Sequence, residues 1–359
     1  MFIHTVWRHM IALLPGVLGV LYCVYIFELL LNIYTFIICG IDKRHSKMGM
    51  RRVAESRLLN LALLGGCFGL LLGMFTFRHK TRRVKFIMGA PACCVVWALI
   101  MAQVISPLSF DRWIEYKRVT YDSRKIDQSL NGYTIAFISD THDLPDDDLR
   151  EVAAKLNGFH IDALLLGGDF TPSSGSPERA MEILSNIRTA DGIYGIAGNH
   201  DKSKTLFSIM EKYGITMLSN SGLEVRDGMY ICGTEDLWNG KPDIARAASG
   251  AKLDDFVLLM AHNPDVTMKQ DTTGVDLILS GHTHGGQFTV LGIWAPALTL
   301  SHNITAYGQR FISGWAKSKD GTDVYVSNGT GSITRAPRGF ARPRVIILRL
   351  LSINPLLYE

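Results

Sequence analysis

The chain has 359 residues, of which 47% are hydrophobic and 19% charged, and its formal net charge is +4. These averages conceal two halves: up to Thr120 there are 15 Lys and Arg against 5 Asp and Glu, and beyond it 22 against 28. That division excludes a single soluble domain and predicts a basic, apolar membrane segment joined to an acidic globular domain of roughly 230 residues, large enough for its own core.

The membrane segment comes first. Residues 10–40 are almost unbroken apolar, interrupted by Pro15, Glu28 and Asn32, and are long enough for a span of about 20 residues. The run is too long for a cleaved signal peptide, and further apolar runs follow at Leu58–Phe77 and at 86–105. Residues 1–110 therefore read as a multi-span membrane domain, with 111–130 as a linker. Lys43, Arg44, Lys47, Arg51, Arg52 and Arg57 precede the second run, and Arg78, Lys80, Arg82, Arg83 and Lys85 follow it. If that run crosses the bilayer, one of these short basic loops faces outward against the positive-inside bias. Gly65, Gly66, Gly69 and Gly73 allow another arrangement, two half-helices meeting in a re-entrant hairpin, which keeps both basic loops cytoplasmic and sends the following domain to the extracytoplasmic face. Extracytoplasmic placement is the reading adopted; an ordinary span with close glycine packing, and a cytoplasmic domain, is the alternative.

Three clusters in this segment, Asp42-Lys43, Arg51-Arg52 followed by Glu55, and Phe77-Arg78-His79-Lys80-Thr81, resemble a small bacterial membrane-protein family of unknown function. The resemblance covers about 65 residues and implies no activity. His79 reads as part of a solvated cytoplasmic loop.

From Tyr133 onward short apolar runs alternate with amphipathic segments. Tyr133–Ser139, Asp162–Gly167, Gly192–Gly198, Met229–Cys232, Phe256–Ala261, Asp276–Ser280 and Val345–Leu350 read as strands. Asp146–Leu156, Pro177–Ile187 and Ser203–Tyr213 carry apolar residues at helical spacing. The expectation is an α/β domain over 131–351, with strands buried on both faces, and a short tail at 352–359. Cys232 is the one cysteine of this half; it reads as a core residue, and no disulfide framework is available.

Polar residues follow five of these strands: Asp140-Thr141-His142, Gly168-Asp169, Asn199-His200-Asp201, His262, and Gly281-His282-Thr283-His284. Loops at the carboxyl ends of strands in an α/β sheet converge on one place. Each motif alone is weak; five in order supply Asp140, His142, Asp169, Asn199, His262, His282 and His284, an oxygen and imidazole set suited to Mn, Fe, Zn or Co. The absence of cysteine disfavours a structural zinc site.

The segments SDTH, GGD, GNHD, AHNPD and GHTHGGQ match in order the motifs of calcineurin-like metallophosphoesterases, over about 210 residues, which is long enough for a whole domain. The pattern is similar to the membrane-associated bacterial branch, to which UDP-2,3-diacylglucosamine hydrolases are related. The resemblance implies a double β-sandwich flanked by helices. It also implies two divalent metal ions, one held by Asp140, His142, Asp169 and His284 and the other by Asp169, Asn199, His262 and His282, with Asp169 bridging. Attack by a metal-bridging hydroxide on a phosphomonoester or phosphodiester, with His200 as general acid, is the implied reaction.

One departure concerns His200. Many family members carry a second Asp three residues after the bridging one, to orient the catalytic histidine; Pro172 stands there, so Asp201 or another carboxylate would have to take that role. Gln287 and Arg338 are candidates for substrate contact, Arg338 through phosphate. The membrane anchor suggests a lipid or nucleotide-sugar lipid precursor as substrate and the bilayer as partner. No nucleic acid is expected, and the oligomeric state is not set by the sequence. The competing class is a non-catalytic, membrane-tethered metal-binding or scaffold module, which the intact set of eight residues disfavours.

Overall fold

The structure, a computed structural model, describes residues 2–109, 113–173, 175–300, 304–333 and 338–353, with side chains described from residue 25 onward except at 103–109 and 300. Most of the expected tail lies outside the described residues. The chain divides into two compact units, Met1–Ile105 and Ser106–Glu359.

The first unit contains α1 (Phe2–Lys47), α2 (Glu55–Leu61), a π-helical turn (Ala62–Gly66), α3 (Cys67–Thr76) and α4 (Val84–Ser109). By length and composition Tyr25–Lys47, Glu55–Thr76 and Val84–Ala102 are each long and apolar enough to cross a membrane. A straight helix over the second of these would be about 33 Å long. Lys80 Nζ nevertheless lies 3.4 Å from Glu55 Oε1, so the chain must reverse. It does so at Gly65, whose φ of 119° is natural only for glycine. α2 and α3 are therefore the two half-helices expected from the glycines, and both of their outer ends lie at one end of the unit. Asn32 holds the tip: its Nδ2 donates to Gly65 O at 2.9 Å, and its Oδ1 accepts from Gly69 N at 2.7 Å.

Asp42 closes the base. Its buried carboxylate accepts from Val53 N at 2.9 Å and pairs with His79 Nε2 at 2.7 Å, Lys80 Nζ at 3.1 Å and Arg52 Nη2 at 3.5 Å. The clustered motif residues thus form a single staple that holds both basic loops together. His79 is consequently not a solvated loop residue; it is 6% exposed, because a buried carboxylate needs buried partners. α4 starts at this same end and passes the hairpin tip, where Trp97 Nε1 donates to Leu63 O at 2.9 Å, so the chain leaves toward the opposite end.

The second unit is two six-stranded sheets. The first has the order β1-β12-β2-β3-β4-β5, from β1 (Glu115–Ser123), β2 (Thr134–Ile138), β3 (Ala163–Leu166), β4 (Gly192–Gly195), β5 (Thr216–Met217) and β12 (Arg344–Ser352). The second has the order β10-β11-β9-β8-β7-β6, from β6 (Ser221–Arg226), β7 (Met229–Gly233), β8 (Phe256–Met260), β9 (Leu277–Ser280), β10 (Gly314–Lys317) and β11 (Asp323–Val326). Phe137, Leu165, Ile196, Ile231, Leu258, Leu279 and Ile346 belong to the buried core shared by the sheets. Apolar faces of α5 (Asp146–Leu156), α6 (Glu178–Leu184) and α7 (Ser203–Lys212) cover the first sheet. α8 (Ile244–Ala248) and α9 (Val266–Lys269) pack on the second, and α10 (Pro296–Leu300) follows β9. This is the helix-flanked double sandwich that was expected. Cys232 is fully buried in β7, and burial pushes its thiol up to about 12, consistent with an inert core residue.

The segment 111–130 is corrected by the structure. Rather than a linker throughout, it contains β1, which pairs in parallel with β12 from Glu115↔Arg344 to Ser123↔Ser352. As an edge strand it buries only Val119 fully, and its charged, mixed sequence hides the alternation that marks inner strands.

Register positions the site. Ile138 pairs with Leu166 and Leu166 with Gly195, so β2, β3 and β4 end level. Met260 pairs with Leu279 and Ser280 with Val326, so β8, β9 and β11 do likewise.

Candidate metal centre

The loops leaving these level strand ends bring together all seven candidate ligands. Two groups of metal-capable side chains form, Asp140 with His142 and His284, and Asp169 with His262 and His282. In the first, His142 Nε2 lies 3.2 Å from His284 Nε2, and His284 Nε2 is 3.6 Å from Asp140 Oδ1. In the second, Asn199 Oδ1 sits 2.7 Å from His282 Nδ1 and 3.2 Å from His262 Nε2. Asp169 Oδ2 joins them, 3.5 Å from His142 Nε2 and 3.2 Å from His262 Nε2.

The rings are held from behind. His262 Nδ1 faces Gly167 O at 2.8 Å, and His282 Nε2 faces Ile304 O at 2.9 Å, so each ring donates outward and aims its other nitrogen inward. The inward nitrogens meet the acceptor oxygens of Asp169 and Asn199, and for the neutral His282 ring against Asn199 Oδ1 this sets a lone pair against a lone pair. Lone pairs aimed at lone pairs repel unless a cation lies between them, and the donor set fits one. Ile304 is itself fixed through its neighbours: Asp265 accepts from Thr305 Oγ1 at 2.5 Å and from Ala306 N at 2.8 Å.

Electrostatics agree with neutral imidazoles around buried carboxylates. Burial, reinforced by neighbouring histidines, lowers His142 to about 4 and His282 to about 3. Burial and the Arg338 guanidinium hold His284 well below its ordinary value. Burial also raises Asp140 to about 6. His262 is the exception: burial lowers it, but Asp169 and Asp140 outweigh that and raise it to about 10.

Backbone strain concentrates here. Asp140, His142, Asp169, His282, His284 and Gln287 all have positive φ, between 39° and 70°. Left-handed conformations cost non-glycine residues about 1 kcal/mol each, and they persist only where surrounding structure enforces them. Gly198 is required for a different reason, since a Cβ there would collide with Asp169 Oδ1.

Asp201 supplies much of the enforcement. Only 5% exposed, it accepts from Asp169 N at 2.7 Å, Phe170 N at 3.0 Å, Thr171 N at 2.9 Å, Thr171 Oγ1 at 2.7 Å and Gly198 N at 3.0 Å. It clamps the loop after β3 onto the loop after β4, and its carboxylate is occupied with that backbone instead of orienting the His200 ring. Asp201→Ala leaves three buried N–H groups, those of Asp169, Phe170 and Gly198, unpaired at about 1–3 kcal/mol each, and the half-buried Thr171 N–H besides. The expected result is a thermal unfolding transition of the purified chain lowered by several degrees; a stability matching the parent's would contradict the clamp.

His200 sits at the exposed rim. Its backbone N donates to Asp169 Oδ1 at 2.7 Å, and its ring stands edge-on to His142 with centroids 5.1 Å apart. Gln287 is half-buried immediately beyond the His284 turn. Arg338 is placed differently from expectation. It is 4% exposed, and its guanidinium donates to Asn328 O at 2.7 Å, Ala341 O at 3.1 Å, Gly331 O and, at 3.1 Å, His284 Nδ1. Carbonyls presented by the 328–331 loop draw it inward, so it positions His284 instead of standing exposed to a phosphate. Asp265 and this role of Arg338 were not legible in the sequence: AHNPD contains the aspartate, but its partners lie 40 residues away.

Comparisons with known proteins place both halves of the chain in families. The model of the calcineurin-like phosphoesterase family matches residues 133–286, and that of a family of unknown function, DUF1294, matches residues 32–86. The chain is similar to the uncharacterized metallophosphoesterase YkuE of Bacillus subtilis (strain 168), 30% identical over 257 residues covering 67% of this chain and 87% of that protein. It is 29% identical to the phosphodiesterase YaeI of Escherichia coli (strain K12), over 53% of this chain and 70% of that one. It is 30% identical to a transmembrane protein with metallophosphoesterase domain from Danio rerio, over 58% of this chain and half of that protein.

Proposed function

The chain belongs to the calcineurin-like phosphoesterases, metal-dependent hydrolases of phosphate esters, and on that premise we propose that it cleaves a phosphomonoester or phosphodiester at the centre described above. Asp140, His142, Asp169 and His284 form one cation set, Asp169, Asn199, His262 and His282 the other, and Asp169 serves both. Two divalent cations of the Mn, Fe, Zn or Co class supply, when bound, neutralisation of the phosphate oxygens and activation of a water. The protein's own part is positional. Gly167 O and Ile304 O aim His262 and His282, Arg338 aims His284, and Asp201 fixes the loop that presents Asp169. His200, at the rim and anchored through its backbone to Asp169, gives a proton to the leaving oxygen, while Gln287 contacts the substrate. The convergence of His262 Nε2, His282 Nδ1, Asn199 Oδ1 and Asp169 Oδ2 on one space is the observation that carries this reading. Full-length protein stripped with EDTA is expected to be inactive on bis(4-nitrophenyl) phosphate and to regain turnover with Mn; undiminished turnover in EDTA would sink the proposal.

The substrate we assign is held at the bilayer, a lipid or nucleotide-sugar lipid precursor, because the chain's own apolar helices keep it there. Stapling of both basic loops at one end of the first unit, with α4 leaving toward the other, supports cytoplasmic loops and an extracytoplasmic catalytic domain. Topology reporters test this directly. A fusion after Met50 is expected to report cytoplasm and one after Asp111 the outer face; cytoplasmic signals from both would overturn the placement.

A further inference from the structure

From Gly285 to Gln309 the chain carries no Asp, Glu, Lys or Arg, although 19% of the whole chain is charged. The stretch begins directly after His284 and folds into a tight hairpin. Gly339 N donates to Gln287 O at 3.0 Å and Thr289 N to Gly339 O at 2.7 Å, while Val290 N donates to Trp294 O at 2.7 Å. Leu291 and Gly292, both with positive φ, make the turn. The base is tied inward by Thr289, Ala295 and Leu298, all buried. The outer surface is apolar and open to solvent: Phe288 is 45% exposed, Val290 39%, Trp294 41% and Ile293, at the tip, 80%.

A cluster of exposed apolar side chains on an uncharged hairpin beside the metal-capable cluster marks an interaction surface. We infer that this hairpin enters the hydrocarbon boundary of a phospholipid bilayer and holds the metal centre against the lipid surface. The chain itself identifies the occupant, since Tyr25–Lys47 and Val84–Ala102 are apolar enough to cross a membrane. The polar groups of the hairpin are compatible with entry. Trp294 Nε1 donates to Thr299 Oγ1 at 2.9 Å and Ile293 N to Val290 O at 3.1 Å, so neither carries an unpaired N–H into apolar surroundings. The consequence is selection for phosphate esters whose acyl or prenyl portion stays in the membrane. That consequence rests on the phosphoesterase reading; the insertion itself does not.

The test uses the full chain in nanodiscs of phosphatidylethanolamine and phosphatidylglycerol, with Ile293→Cys carrying an environment-sensitive fluorophore. Leu253→Cys is the control, because Leu253 is 89% exposed but precedes β8, at the strand end opposite His262. Label on the unsubstituted chain sets the background from the native cysteines. Insertion predicts blue-shifted emission at position 293, quenched by lipids brominated in the acyl chain, with neither change at position 253. Equal, water-like emission at both positions overturns it, as does shielding of position 293 in lipid-free detergent that grows with protein concentration, the signature of a second copy. Mn-dependent turnover of bis(4-nitrophenyl) phosphate by the same samples reads the centre separately, so loss of turnover with quenching intact counts against the phosphoesterase reading and not against the hairpin.

Discussion

Asp169→Asn is expected to lower Mn-dependent phosphodiester turnover by about a thousandfold or more, a larger loss than removal of a single electrostatic stabiliser. Asparagine keeps the shape of the side chain and can still accept from His200 N, so the loop has reason to hold. What disappears is the negative charge that lies 3.2 Å from His262 Nε2 and 3.5 Å from His142 Nε2, between the two ligand sets. Two dications at close range repel strongly unless a shared carboxylate offsets them. Elemental analysis of the purified variant is therefore expected to show fewer than two metal ions per chain, with secondary structure by circular dichroism unchanged. Full metal content together with full turnover would remove Asp169 from the bridging role.

His200→Ala is expected to separate two classes of ester. A general acid matters in proportion to the basicity of the leaving oxygen, and its removal costs about 10²–10⁴-fold where protonation is needed. An alkyl phosphate ester should lose turnover on that scale, whereas a nitrophenyl ester, whose leaving group departs without help, should lose far less. Metal content should stay at the parent level, because the tie of His200 to the centre runs through its backbone N and not its ring. An equal loss on both ester classes would make His200 a positioning residue and return the acid to another group.

Inner strands of the catalytic unit were legible in the sequence because they are buried on both faces and read as unbroken apolar runs; Ala163–Leu166 and Phe256–Met260 are examples. Edge strands were not. β1 and β6 are partly exposed, and their mixed composition satisfies no simple period. The seven ligand positions were legible as residues that follow strands, but their meeting depends on register between strands far apart in sequence. The division of labour among the remaining polar residues was hidden for the same reason. Asp201 adjoins His200 in the chain, yet it serves the backbone of Asp169–Thr171. Arg338, a cation in a glycine-rich region, is drawn inward by carbonyls that only the folded loop presents.

By itself, then, the sequence determined the two-part organisation, the class of fold and the set of candidate ligands, because composition, burial period and motif spacing are local properties; the glycines of the apolar half left a hinge and an ordinary span both open. Tertiary structure decided the rest: that Glu55 and Lys80 meet, so the chain reverses at Gly65, that Asp42 gathers Arg52, His79 and Lys80, and that lone pairs from five separate loops face one another. Each of these joins residues distant in the chain, and the free energy that holds them together exists only once the partners have been brought into contact.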